Sequence, residues 1–68
     1  MTETVYKRLD ITGTSSTNVE DAVNNAIAKA GETVRNMRWF EVKEIRGAIQ
    51  DDSKIQWQVT VMLGFALE

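Results

Sequence analysis

Trp39, Arg46 and Gln58 are the residues of this sequence whose side chains are best suited to bind a flat, polar ligand. An indole offers a stacking platform to another ring, and such stacking contributes about 0.5–1.5 kcal/mol beyond the burial of area. A glutamine amide has one acceptor oxygen and two donor hydrogens, so it can pair with the alternating acceptors and donors at the edge of a pyrimidine-like ring. Arg46 is a second polar candidate to accompany the indole.

Each of the three residues also has an ordinary structural interpretation. A tryptophan at the start of a strand can serve core or interface packing, a glutamine within a strand often faces solvent, and an arginine near a turn is commonly a surface ion-pair partner. The residue types alone therefore leave both interpretations open.

The composition excludes the common catalytic and zinc-binding sites. The chain contains no histidine and no cysteine, so the usual bases and nucleophilic pairs of acyl transfer, and the nitrogen and sulfur ligands of structural zinc, are missing. The ten acidic residues fall mainly on predicted solvated faces, and the sequence has no P-loop, GxGxxG or HExxH motif. We predict neither catalytic residues nor a metal site.

The elements that position these residues follow from hydrophobic periodicity. Val5 to Ile11 alternates as a strand, which Gly13 and the hydroxyl run from Thr14 to Thr17 should end. The segment from Thr17 to Glu20 has the spacing of a capping box and predicts the start of a helix. Because glycine weakens a helix, we expect its end between Gly31 and Asn36. The apolar stripe of this helix is Val19, Ala22, Val23, Ala26, Ile27, Ala30, Val34 and Met37.

Two further strands are predicted, Arg38 to Ile49 and Lys54 to Leu67, joined by the polar hairpin loop Asp51 to Ser53. In the last strand, every second residue from Ile55 to Leu67 is apolar, so we expect this face to pack on the helix. The element order is β-α-β-β, which indicates an α+β fold.

Strict alternation divides the second of the three strands into two faces. One face contains Trp39, Glu41, Lys43, Ile45 and Gly47. The opposite face contains Phe40, Val42, Glu44, Arg46 and Ala48. Alternation therefore predicts that Trp39 shares its face with charges and lies opposite Arg46.

A chain of 68 residues forms a single domain, residues 1–68, and buries only about 60% of the surface that its unfolded chain exposes. Disulfides and zinc are excluded by composition, so we expect oligomerisation to compensate. The last strand would extend about 46 Å if straight, whereas a compact domain of this size has a diameter of roughly 28 Å. It must curl or project, and it leaves apolar sheet ends for another subunit to cover.

The charge distribution argues against several classes of partner. The net charge is −2 and the basic residues are scattered, so we expect no nucleic-acid binding. No apolar run approaches the roughly 20 residues that span a bilayer. Residues 1–4 have neither a basic nor an apolar leader region, so we expect a cytoplasmic location.

Short segments in both halves of the chain carry a resemblance to a known family. They are Val5-Tyr6-Lys7, Gly13-Thr14-Ser15, Trp39-Phe40-Glu41-Val42, Ile45-Arg46-Gly47, Gln58-Val59, Gly64-Phe65 and Leu67-Glu68. In this order and at this chain length, they resemble the dodecins of bacterial type, which are small flavin-binding proteins. The resemblance implies a three-stranded antiparallel sheet wrapping one helix, assembled as a hollow dodecamer.

The resemblance also implies functional residues. In the family, flavins bind in pairs at two-fold interfaces, each between a tryptophan and the second flavin. Trp39 matches that tryptophan, and Gln58 matches the glutamine that binds the pyrimidine edge of the flavin. Arg46 lies at the position of an arginine in bacterial members that favour FMN. Ala48 completes the matching flavin site, and riboflavin is the alternative ligand.

Some bacterial members also bind coenzyme A near three-fold contacts. The positions that would correspond are Val5, Lys7, Lys29 and Thr33. Two residues depart from the family pattern. Trp57 replaces a tyrosine or phenylalanine, and Ala66 replaces an arginine present in several bacterial relatives, which puts coenzyme A binding in doubt.

The function that the resemblance implies is storage and sequestration of flavin, with quenching of its photochemistry by electron transfer from the indole, and no enzymatic activity. Two alternatives remain open: a flavin-dependent oxidoreductase, for which the sequence offers no evident acid or base, and a structural assembly module in which Trp39 only packs.

Overall fold

The central strand of the sheet is the last one in the chain. The computed structural model describes residues 3–67, so Met1, Thr2 and Glu68 lie outside the described residues. The elements are β1 (Val5–Ser15), α1 (Val19–Ala30), β2 (Met37–Ile49) and β3 (Ile55–Leu67). The strands form one sheet in the order β1-β3-β2, and both pairings are antiparallel. The predicted β-α-β-β order is confirmed.

Strand β1 continues through Gly13 and ends at Ser15, within the hydroxyl run, so the prediction is wrong for Gly13. Gly13 is buried beneath α1, where a Cβ would collide with the backbone oxygen of Ala22 and lie 2.8 Å from the Cβ of Ala26. The glycine is needed for close approach of helix and strand rather than for a turn.

The predicted capping box is also wrong by one residue. Asn18, not Thr17, is the N-cap of α1, and its side-chain oxygen accepts a hydrogen bond of 2.7 Å from the backbone N–H of Asp21. Thr17 instead donates its backbone N–H to the Oγ of Ser15 at 2.9 Å. The stronger capping preference of asparagine is consistent with this choice.

The helix ends at Ala30 with Gly31 as its C-cap, which is at the early limit of the predicted interval. Val34 and Met37 therefore lie beyond the helix and do not belong to its apolar stripe. Asn36 has a φ of 63°, a left-handed conformation that asparagine tolerates, and the chain then enters β2 at Met37.

One face of β3 packs on α1, as alternation predicts, and we call it the inner face of the sheet. The core consists of Ala22, Val23, Ala26, Ala30, Val59, Val61 and Leu63, with Trp57, Ile11, Val19, Ile27 and Met37 at its margin. Small helix residues allow the close approach, and large strand residues fill the remaining space.

The protomer is long and thin because its sheet extends past the helix. Its extents are 56 × 20 × 14 Å and its radius of gyration is 14.2 Å, against about 11 Å for a compact chain of this length. The last strand is predicted either to curl or to project past the domain, and in the structure the sheet projects. Its projecting end exposes Ile45, Ile49 and Ile55 by 53%, 82% and 48%. Such contiguous apolar surface is typical of an interface.

None of the helices among the described residues is long and apolar enough to span a membrane.

Replacing Gly13 tests the contact between helix and strand. We expect Gly13→Ala to lower the free energy of unfolding by about 1–3 kcal/mol, because the added methyl group must displace the helix. Gly47→Ala is the matched control, since a Cβ there meets nothing closer than the backbone oxygen of Gln56 at 3.8 Å. Urea denaturation at equal protomer concentration measures both, and equal losses would contradict this account.

Candidate functional site

The indole of Trp39 lies face-on across the backbone of β3. Trp39 pairs with Gly64, and a Cβ added to Gly64 would overlap three atoms of the six-membered ring. Gly64 is buried, whereas Trp39 remains 41% exposed. One face of the indole is therefore supported by the sheet, and the exposed area is available to a neighbouring ring.

Tyr6 holds the far edge of this indole. The two ring centroids are 4.9 Å apart with an interplanar angle of 69°, which is a favourable edge-to-face arrangement. Tyr6 pairs with Ala66, so the indole reaches from β2 over β3 to β1. Sequence reasoning missed this role. The available signal was an aromatic residue on the otherwise polar face of β1.

Two irregularities in β2 decide which residues share the face of Trp39. The register with β3 shifts between Met37 and Trp39 and again between Val42 and Glu44. A β-bulge inserts one extra residue, here Lys43 at the second shift, and so reverses the alternation beyond it. The prediction that Arg46 lies opposite Trp39 is therefore wrong.

The face that results is the outer face of the sheet, away from the helix. Phe40, Val42 and Ile45 pair with inner-face residues of β3. The outer face of β2 carries Trp39, Glu41, Glu44, Arg46 and Ala48, and these pair with Gly64, Met62, Thr60, Gln58 and Gln56 of β3. All four residues predicted for a flavin site are thus on one surface.

At the other end of this surface, four polar side chains are connected. The Nε of Arg46 donates to the Oε1 of Gln58 at 2.7 Å, and the Nε2 of Gln58 donates to the Oε1 of Gln56 at 3.3 Å. A Nη1 to Oε1 distance of 3.9 Å joins Arg46 to Glu44, and both of these side chains are more than half exposed. Ala48 lies directly across from Gln56 and adds no polar group.

The indole and the amide are not adjacent within one chain. Trp39 pairs with Gly64 and Arg46 with Gln58, so six positions of β3 separate them. That corresponds to about 20 Å of strand, which is longer than a three-ring heterocycle. A ligand that touches both groups must therefore receive them from two chains.

The four positions predicted for coenzyme A are only partly grouped. Lys29 and Thr33 line a cavity of about 280 Å³ between β1 and the end of α1. Val5 and Lys7 lie farther along β1, opposite Leu67 and Phe65. Lys29 also forms an exposed ion pair with Glu32, with an Nζ to Oε1 distance of 3.4 Å.

Over residues 3–67, we find no group of three or more Asp, Glu, His or Cys side chains placed to hold a metal ion.

Both the sequence and the fold of this chain are similar to those of known proteins. The family model described as Dodecin matches residues 5–68. A dodecin of Thermus thermophilus is 45% identical over 64 residues, which cover 94% of this chain and 93% of that protein. The calcium dodecin of Mycobacterium tuberculosis is 33% identical over 63 residues, covering 93% and 89%.

Solved structures agree with the sequence matches. The dodecin from Streptomyces davaonensis superposes with a TM-score of 0.92 at 42% identity and covers 98% of each chain. That of Streptomyces coelicolor gives 0.91 at 43% identity, covering 100% of this chain and 97% of the other. The calcium dodecin, described as calcium-chelating with a novel calcium-binding site, gives 0.86 at 33% identity, covering 94% and 91%.

Replacing Gly64 tests the support of the indole. We expect Gly64→Ala to lift the Trp39 ring from the sheet, because its methyl group would occupy the volume of the ring. In a Trp57→Phe background, where Trp39 is the remaining tryptophan, acrylamide should quench the fluorescence more strongly than in the parent. Gly47→Ala should leave quenching unchanged, and a Gly64→Ala protein indistinguishable from it would refute the support.

Proposed function

This chain belongs to the dodecin family, and we propose that it binds FMN or riboflavin on Trp39 at an interface between subunits, storing and sequestering flavin in the cytoplasm. The observation that carries the proposal is the indole held across Gly64 and against Tyr6. A ring already fixed in orientation loses little further freedom when a ligand stacks on it, so more of the contact energy becomes affinity.

The separation between indole and amide supports a site built from two chains. In a two-fold contact, residue i of one chain meets residue j of its partner and the reverse. Trp39 of one chain would then approach Gln58 of the other, and each interface would hold two equivalent ligands. The exposed apolar residues at the end of the hairpin support extensive assembly, for which we propose a homododecamer.

The polar residues suit the remainder of a flavin. Gln58 offers a donor and an acceptor to the pyrimidine edge. Arg46 can meet a phosphate through its guanidinium, which would favour FMN over riboflavin. Ala48 has a small side chain and leaves space beside both.

The same arrangement accounts for quenching without turnover. An excited flavin can accept one electron from the stacked indole, and the electron then returns, so that no net chemical change occurs. The protein would bind a photosensitiser in a dark form rather than act as an enzyme. Neither an acid nor a base for hydride chemistry is among the residues assigned to the site.

The described residues give less support for binding of coenzyme A or calcium than for binding of flavin. Lys29 and Thr33 share a cavity that Val5 and Lys7 do not line, and Ala66 replaces a family arginine. Calcium is named for the mycobacterial relative, and we have no carboxylate cluster among residues 3–67 on which to base a site.

Titration with flavin tests the proposal. We expect the protein to quench the fluorescence of added FMN, riboflavin and lumichrome, and Trp39→Ala to lose at least about ten-fold in affinity together with the quenching. Trp39→Phe should retain part of the affinity but quench less, because phenylalanine is a poor electron donor.

Trp57→Phe is the matched control, since Trp57 is half-buried on the inner face, and it should bind as the parent does. Unchanged affinity in Trp39→Ala would refute the proposal. Turnover of a reduced nicotinamide or quinone by the flavin-loaded protein would favour the oxidoreductase, and assembly without any flavin binding would favour the structural module.

A further inference from the structure

The side chains of Arg46, Gln58 and Gln56 form a row of hydrogen bonds with a fixed direction. An arginine guanidinium can only donate, so the atom of Gln58 that lies 2.7 Å from Arg46 Nε must be its oxygen. The nitrogen of the same amide then faces Gln56 and donates to its Oε1 at 3.3 Å. The donor-only guanidinium thus holds the oxygen of Gln58 on one side, and the acceptor oxygen of Gln56 holds its nitrogen on the other.

The row leaves Gln58 with one acceptor and one donor for a ligand. Its oxygen has two lone pairs, of which Arg46 uses one, and its nitrogen has two hydrogens, of which Gln56 uses one. The remaining acceptor lies on the Arg46 side and the remaining donor on the Gln56 side. A ligand must therefore present a ring N–H to the first and a carbonyl oxygen to the second.

We propose that Gln56 is a positioning residue for the flavin site, which together with Arg46 fixes the order of donor and acceptor on Gln58. The proposal rests on the flavin-binding function proposed above. This fixed order on Gln58 selects planar heterocycles with adjacent ring N–H and carbonyl groups, as in the imide edge of an isoalloxazine. It disfavours rings whose N–H is blocked.

The surroundings of Gln56 suit this role. Ala48 lies across from it on β2 and has no polar group to compete for its amide. Gln56 and Gln58 are both half-buried, so water competes less for the hydrogen bond than at the exposed guanidinium. The backbone of β3 fixes their spacing, because residues two apart on a strand point to the same face.

The test compares riboflavin with riboflavin methylated at N3, two uncharged ligands that differ only in the ring N–H. In the wild-type protein, we expect methylation to weaken binding roughly three- to ten-fold, the equivalent of one hydrogen bond. The quantity to compare is the ratio of the affinity for riboflavin to the affinity for the methylated form. Gln56→Glu keeps an acceptor towards Gln58 and should keep this ratio within about two-fold of the wild-type value.

Gln56→Lys reverses the chemistry at the same position. Its ammonium only donates, so it cannot accept from the Nε2 of Gln58 and instead competes with Arg46 for the Oε1, which removes the fixed order of donor and acceptor on Gln58. Riboflavin should then bind more weakly while the methylated ligand is affected less, and the ratio should fall towards one. Gln50→Lys adds the same charge beyond the end of β2 and should leave the ratio at its wild-type value.

A packing role for Gln56 would weaken both ligands equally, so an unchanged ratio in Gln56→Lys overturns the inference. A ratio near one in Gln56→Glu would also overturn it. Failure of the underlying function is recognised separately, because the wild-type protein would then bind neither riboflavin nor its methylated form.

Discussion

The helix is much shorter than the sheet that it covers, and the rest of the structure depends on this difference in length. The helix has twelve residues and each of the two longer strands has thirteen, but each residue extends a strand about twice as far as a helix. The helix spans about 18 Å, whereas a strand of thirteen residues spans about 43 Å. The uncovered part of the inner face carries large apolar side chains that one chain cannot bury. In the assembly proposed above, burying this surface against another subunit would link assembly to folding, and the proposed two-chain site would exist only where this surface is covered.

Two glycines allow close approaches on opposite faces of the same sheet. At Gly13 the missing side chain admits the helix, and at Gly64 it admits the indole of Trp39. Both approaches use backbone as the contact surface. Backbone is more rigid than any side chain, which suits a fold with a small core and a ring that must keep its orientation.

The sequence predicts the elements and the inner face of this protein well, because both depend on local periodicity. It fails at Lys43, because strict alternation assumes an unbroken strand, whereas the β-bulge moves the apolar inner-face positions of β2 from Phe40 and Val42 to Ile45. Trp39 can be found as a candidate from its type, whereas Tyr6 and Gln56 become relevant only through the register of three strands. Gly13 misleads for a related reason, because a glycine in a close contact resembles one in a turn.

The bulge at Lys43 also constrains how such a chain can change in evolution. Deleting one residue between Trp39 and Arg46 would place these two side chains on opposite faces of the sheet. Strand β2 can therefore vary in length only in pairs of residues, whereas the hairpin loop at residues 50–54 is free to gain or lose single ones. Insertions and deletions among homologues should accordingly accumulate in that loop and be purged from the strand.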